Sequence, residues 1–104
     1  MAAGIDFEFN YRKLCIASLY IQLNKAKFVC SNKDRYEGKG NRLPASAGCM
    51  VKAIETASGV LAETMGKPSK HLFDLVRSQH GLQDEPLDKF LMTGDFLETD
   101  IVFG

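Results

Sequence analysis

Two short motifs in the second half of the chain hold the residue types that phosphoryl chemistry uses. Gly66-Lys67-Pro68-Ser69 places a cation just ahead of a helix start, and Gly94-Asp95-Phe96-Leu97-Glu98-Thr99-Asp100 gathers carboxylates in one stretch. In the first motif, Gly66 lets the backbone approach a ligand closely and Pro68 fixes the chain direction near the first helical turn. The helix N-terminus adds partial positive charge to that of Lys67, and together they favour an anion such as phosphate. In the second motif, Asp95 and Asp100 offer hard oxygens that suit magnesium, which takes one or two carboxylates and keeps several waters. Each motif has a plainer reading as well. Lys67 would be a solvated lysine in an ordinary turn, and Asp95 with Thr99 would merely cap the helical segment that follows. The sequence contains no Asp-x-Asp, so the nucleophile such a phosphoryl-transfer site needs is absent.

The elements that must position these motifs alternate between strand and helix. Apolar strands are expected at 1–7, 26–30, 61–65 and 90–93, and helices at 10–23, 46–58 and 69–80, with a last helical segment near the C-terminus. Asn10 and Ser69 are placed to cap helices, and Gly59 and Gly81 to end them. Leu14, Ala17 and Leu19 are expected inward on the first helix, Met50, Val51 and Ile54 on the second, and Leu72, Phe73, Leu75 and Val76 on the third. Residues 31–45 carry Asn, Asp, Gly and Pro at a density that fits a loop. The alternation predicts an α/β fold with a mostly parallel sheet, in which ligands sit at the carboxyl ends of strands. Both motifs fall at such ends.

A chain of 104 residues can bury only a modest core, and its 13 basic residues balance 13 acidic ones with no dense basic face. That balance argues against a nucleic-acid partner. The apolar runs are too short to span a membrane, and no secretory signal pattern is present. Cys15, Cys30 and Cys49 make an odd count without Cys-x-x-Cys spacing, so they read as small buried hydrophobes in a reducing, cytoplasmic setting. His71 and His80 share no helix face and read as surface groups. The stretch with Lys33, Arg35, Lys39 and Arg42 is basic but reads as a flexible surface loop.

Taken in order, the motifs resemble the haloacid dehalogenase superfamily, in particular its p-nitrophenyl phosphatase subgroup, which includes phosphoglycolate and pyridoxal phosphate phosphatases. The resemblance rests on Gly4-x-Asp6-x-x-Phe9-x-Tyr11-x-Lys13-Leu14, Ser31-Asn32-Lys33-Asp34, and Gly48-Cys49-Met50-Val51-Lys52-Ala53-Ile54-Glu55. It continues through Gly66-Lys67-Pro68-Ser69 and Gly94-Asp95-x-Leu97-Glu98-Thr99-Asp100-Ile101, and so covers nearly the whole chain.

The resemblance implies part of an α/β cap over 1–60 joined to part of a Rossmann-like core over 61–104. It implies that Lys67 neutralises charge on the nucleophile and the transferring phosphoryl group. Asp95 would ligate Mg2+, and Asp100 would support the same metal shell. Asp34, Arg35 and Tyr36 lie on the segment that resembles the family's substrate-facing cap loop, and the strand ending at Ser31-Asn32 resembles a cap strand rather than a phosphate-binding one. The implied activity is magnesium-dependent hydrolysis of small phosphomonoesters through a phosphoaspartate. The nucleophile and the general acid/base of the family's Asp-x-Asp-Gly motif have no counterpart here. The chain alone is therefore expected to be inactive, and its start almost inside a strand suggests a piece of a longer protein. The rival expectation is a non-catalytic module that forms a homodimer or joins a complementing chain.

Overall fold

A computed structural model describes residues 1–38, 44–95 and 97–104. Lys39 and Arg42 of the basic stretch lie outside the described residues, as does the side chain of Glu98. The chain forms two compact units, Met1–Thr64 and Met65–Gly104.

The first unit runs β1 (Ala2–Ala3), α1 (Tyr11–Asn24), β2 (Val29–Cys30), α2 (Ala47–Ser58) and β3 (Glu63–Thr64). Asn10 begins α1 as expected, its side-chain oxygen accepting from the Lys13 amide at 3.0 Å. Gly59 ends α2 with φ of 73°, a left-handed conformation that glycine adopts without strain. The strands pair in parallel in the order β1-β2-β3, with Ala2 opposite Val29 and Val29 opposite Glu63. Parallel pairing needs a crossover between strands, and α1 and α2 supply it. Right-handed crossovers that advance in one direction put both helices on one face, where α1 and α2 pack together. Between them and the sheet lies a core of Ala17, Ile21, Phe28, Cys30, Val51, Ile54 and Ala62, backed by Ala3, Phe9 and Leu14.

The inward set of α1 differs from the sequence reading at Leu19, which is 49% exposed. Leu19 follows Ala17 by two positions, about 200° round the helix, so it points away from the core. Cys49 is also exposed, against the expectation of three buried thiols, while Cys30 is buried and Cys15 lies between. Cys49 sits in the first turn of α2, where its Sγ donates to the Arg35 carbonyl at 3.1 Å.

The second unit holds α3 (Lys70–Gln79), a 3-10 turn (Leu87–Lys89) and a π-helical turn (Leu97–Ile101). No strand forms over 90–93. Phe90 is extended, but it has no neighbouring strand to pair with among the described residues, and its ring instead packs edge-on to Phe73 at 5.1 Å. Leu75 and Val76, expected inward, remain exposed. Among the described residues no helix is long and apolar enough to cross a membrane.

Among the described residues of the first unit, one charged side chain is buried. Glu55, in the last turn of α2, is 5% exposed and accepts from Lys33 Nζ at 2.8 Å and from the Ala62 amide at 3.0 Å. Burial alone would push its carboxyl up. The Lys33 hydrogen bond, the Ala62 amide and the charges of Lys33 and Lys52 outweigh burial and hold the group below its ordinary value of 4.5. A depressed carboxyl stabilises the fold above its ordinary pKa, and that contribution disappears as pH falls through the folded value. Urea denaturation at pH 7 is expected to show Glu55→Gln less stable than the unsubstituted chain by about 1.5–3 kcal/mol, the scale of a hydrogen bond to a charged group. The gap should close below pH 4.5. An equal gap at pH 7 and at low pH would show that the charge is not what matters.

Candidate phosphate and metal site

In the second unit, the residues 66–69 form a turn closed by the Ser69 amide donating to the Gly66 carbonyl at 2.8 Å. Ser69 then caps α3, its Oγ accepting from the His71 amide at 3.2 Å. Lys67 is thereby placed just ahead of the positive end of a helix of 10 residues. Its Nζ donates to Asp100 Oδ1 at 2.5 Å. The Asp100 side chain is 8% exposed and that of Lys67 44%, so the carboxylate lies inside and the ammonium at the rim.

Asp100 belongs to the π-helical turn, which follows closely on Gly94 and Asp95. Gly94 has no room for a side chain, because a Cβ there would fall on Cβ, Cγ and Oδ2 of Asp100. The glycine is needed for this close approach and not for an unusual backbone angle. Asp95 is exposed. The structure thus brings Lys67 and Asp100 together and leaves Asp95 at the surface of the same unit.

No three side chains of His, Cys, Asp or Glu cluster as a full protein cage would require, among the described residues. Magnesium does not need such a cage, since it takes one or two carboxylates and several waters. Asp95 presents hard oxygens at the surface, whereas Asp100 is buried with Oδ1 on Lys67 and Oδ2 against Gly94. His71 and His80 are both exposed.

Asp34, Arg35 and Tyr36 belong to the first unit. Their backbone is tied down closely. The Gly48 amide donates to the Asp34 carbonyl at 2.8 Å, the Ser46 amide to the Arg35 carbonyl at 3.1 Å, and Tyr36 forms an antiparallel bridge with Ala45. The Arg35 guanidinium lies 6.0 Å from the centre of the Tyr36 ring. Arg35 is exposed, and Asp34 and Tyr36 are half-buried.

No family model matches the chain. Glycerol-3-phosphate phosphatase of Rattus norvegicus is 37% identical across 100% of the chain, which corresponds to 32% of that protein. The double mutant thermostable NPPase of Geobacillus stearothermophilus superposes with a TM-score of 0.85 at 27% identity, over 99% of this chain and 40% of that one. The chain belongs to the haloacid dehalogenase superfamily. Glycerol phosphate phosphatase of Mycobacterium tuberculosis, solved in complex with magnesium, matches with a TM-score of 0.75 at 27% identity, over 96% of this chain and 29% of that one. The chain spans about a third of the length of the curated relatives it matches.

Within this haloacid dehalogenase chain, sequence reasoning passed over two residues that the structure makes prominent. Glu55 continues the Val51 and Ile54 stripe at helical spacing, and a carboxylate on an apolar stripe was the signal that it is buried and partnered. Gly48, in the first turn of α2, has no space for a Cβ because the carbonyls of Lys33 and Asp34 press against it. A glycine inside a helix start is a weak signal of such an approach.

The same packing logic makes Gly94 testable. Gly94→Ala should push Asp100 away from Lys67 and destabilise the chain by about 1–3 kcal/mol, the usual range for overpacking. Chemical denaturation reads the cost, and loss of the Lys67–Asp100 pair would appear as an altered Lys67 side-chain amine signal by NMR. Unchanged stability and an unchanged signal would mean that Asp100 can give way freely.

Proposed function

We propose that the chain carries the charge-balancing and metal-supporting part of a magnesium-dependent phosphatase that hydrolyses small phosphomonoesters. The observation that supports this reading most is the Lys67–Asp100 pair, 2.5 Å apart beside the N-terminus of α3. In this reading Lys67 neutralises charge on the phosphoryl group. Asp95 and Asp100 would hold Mg2+, which when bound offsets negative charge on the phosphate oxygens. Within the first unit, Asp34, Arg35 and Tyr36 would face a small phosphorylated metabolite such as p-nitrophenyl phosphate or a phosphoglycolate-like ester, and the name of the Rattus norvegicus relative supports that substrate class.

The reaction would run through a phosphoaspartate. A carboxylate oxygen attacks phosphorus, the ester oxygen leaves and takes a proton, and water then cleaves the acyl phosphate. Splitting one displacement into two lowers each barrier. The sequence has no Asp-x-Asp, so the attacking acid would come from outside it. Three free thiols suit a cytoplasmic setting.

Titration calorimetry with magnesium tests the site directly. Saturable binding is expected for the chain and is expected to be lost in Asp95→Ala, while p-nitrophenyl phosphate turnover by the chain alone stays at background. Equal magnesium binding by both proteins would overturn this assignment, and steady turnover that Asp95→Ala abolishes would overturn the expectation that the chain alone is inactive.

A second reading rests on one observation. Ile16, Leu19, Tyr20 and Leu23 form an exposed stripe at helical spacing on α1, from 47% to 73% exposed. Such a face suits an assembly module in which a second copy of the chain covers it. Light scattering should then show a dimer that Leu23→Lys dissociates. A monomer at all concentrations would remove this reading.

A further inference from the structure

Glu55 lies where a carboxylate is doubly disfavoured. It is buried, and it occupies the last turn of α2, where the helix dipole repels an anion. An apolar side chain there would extend the Val51 and Ile54 stripe at no such cost. Its contacts show what the charge does. Oε1 holds Lys33 Nζ at 2.8 Å and the Ala62 amide at 3.0 Å, while Oε2 faces the exposed Lys52 at 3.5 Å.

Lys33 immediately precedes Asp34, Arg35 and Tyr36, and its carbonyl packs against Gly48 at the opposite end of α2. The lysine therefore lies along the helix with its backbone at the first turn and its ammonium at the last. From that anchor the chain is pinned at every step. Asn32 Oδ1 accepts from the Asp34 amide at 3.1 Å, the Asp34 carbonyl accepts from Gly48, and the Arg35 carbonyl accepts from both the Ser46 amide and Cys49 Sγ. Ser46 Oγ donates to Glu37 Oε1. Lys33 is a strut, in contrast to the flexible basic loop that the sequence suggested.

We infer that Glu55 is a positioning residue: through Lys33 it fixes the pose in which Asp34, Arg35 and Tyr36 meet a phosphorylated ligand. This inference rests on the reading of that loop as substrate-facing. The charged strut replaces loop flexibility with one presented conformation, so ligand affinity depends on a pair that does not touch the ligand.

The test compares amide exchange and ligand titration by NMR on the full chain, unsubstituted and as Glu55→Gln, Lys33→Met and Lys52→Met. Glu55→Gln and Lys33→Met are expected to accelerate exchange at Gly48 about tenfold, the factor separating a charge-assisted from a neutral hydrogen bond, with α1 amides such as Ile21 unchanged. Lys52→Met, at an exposed partner, should leave Gly48 within about twofold. Titrated glycerol 3-phosphate should shift the Arg35 and Tyr36 amides, with about tenfold weaker affinity in Glu55→Gln and Lys33→Met. Equal acceleration in α1 and at Gly48 would reduce Glu55 to a general stabiliser and overturn the inference. So would unchanged exchange at Gly48 in both variants. Selective acceleration at Gly48 with no ligand shift at Arg35 or Tyr36 in the unsubstituted chain would instead overturn the substrate-facing reading, and the positioning role with it.

Discussion

A carboxylate taken out of water must be given charged and hydrogen-bonding partners, and this chain buries two among its described residues, Glu55 and Asp100. Each is held by a lysine far away in sequence, Lys33 at a separation of 22 positions and Lys67 at 33. Removing the carboxylate of such a pair loses a charge-assisted hydrogen bond, at a cost of about 1.5–3 kcal/mol, so the two ends are favoured to stay together. The lysines are half-exposed, which keeps part of their hydration and lowers the cost of the arrangement. An apolar pair would pack as well at these positions. What the ionic pair adds is a defined path for the segment that carries the lysine: residues 33–37 in one unit, the turn 66–69 in the other.

The two units solve the rest of their folding differently. The first has a parallel sheet and a core in which Val51 and Cys30 are almost fully enclosed. In the second, no described apolar side chain is buried. A unit this short has little apolar surface to remove from water. Arg77 takes over much of the organising work. Its guanidinium lies 5.5 Å from the centre of the Phe73 ring and 5.4 Å from that of Phe90, and it donates to the carbonyls of Leu82, Gln83 and Glu85. A planar fork with several donors can stack and bond at once, which a lysine ammonium cannot.

What could be read from the sequence was whatever depends on neighbours a few positions away. Caps at Asn10 and Ser69 and the stop at Gly59 are local chemistry, and all three stand where the residue types put them. The α/β alternation was legible for the same reason. The strand expected at 90–93 failed because a strand exists only when another strand pairs with it, and apolar residues alone do not supply one. Leu19 is apolar, but its angle around the helix, about 200° from Ala17, turns it outward. The candidate site was legible as residue types in Lys67, Asp95 and Asp100. That Lys67 meets Asp100, and that Gly94 exists to let Asp100 in, depends on contacts closed across the unit. Glu55 was the reverse case: its position on the Val51 and Ile54 stripe was visible, but a charge there looked like part of a motif instead of a buried partner.

The Lys67–Asp100 pair also constrains how this unit can treat a phosphate. An ion pair at 2.5 Å has almost no net charge seen from a distance, so it cannot by itself draw in a dianionic ester. Two sources of positive potential would remain beside it: the N-terminus of α3 and, on the proposed reading, a cation at Asp95. The helix end offers a fraction of one charge, and a divalent ion offers two. Asp100 keeps Lys67 from swinging into solvent. A lysine held in this way gives up raw attraction for position, and position is what charge development on a transferring phosphoryl group rewards.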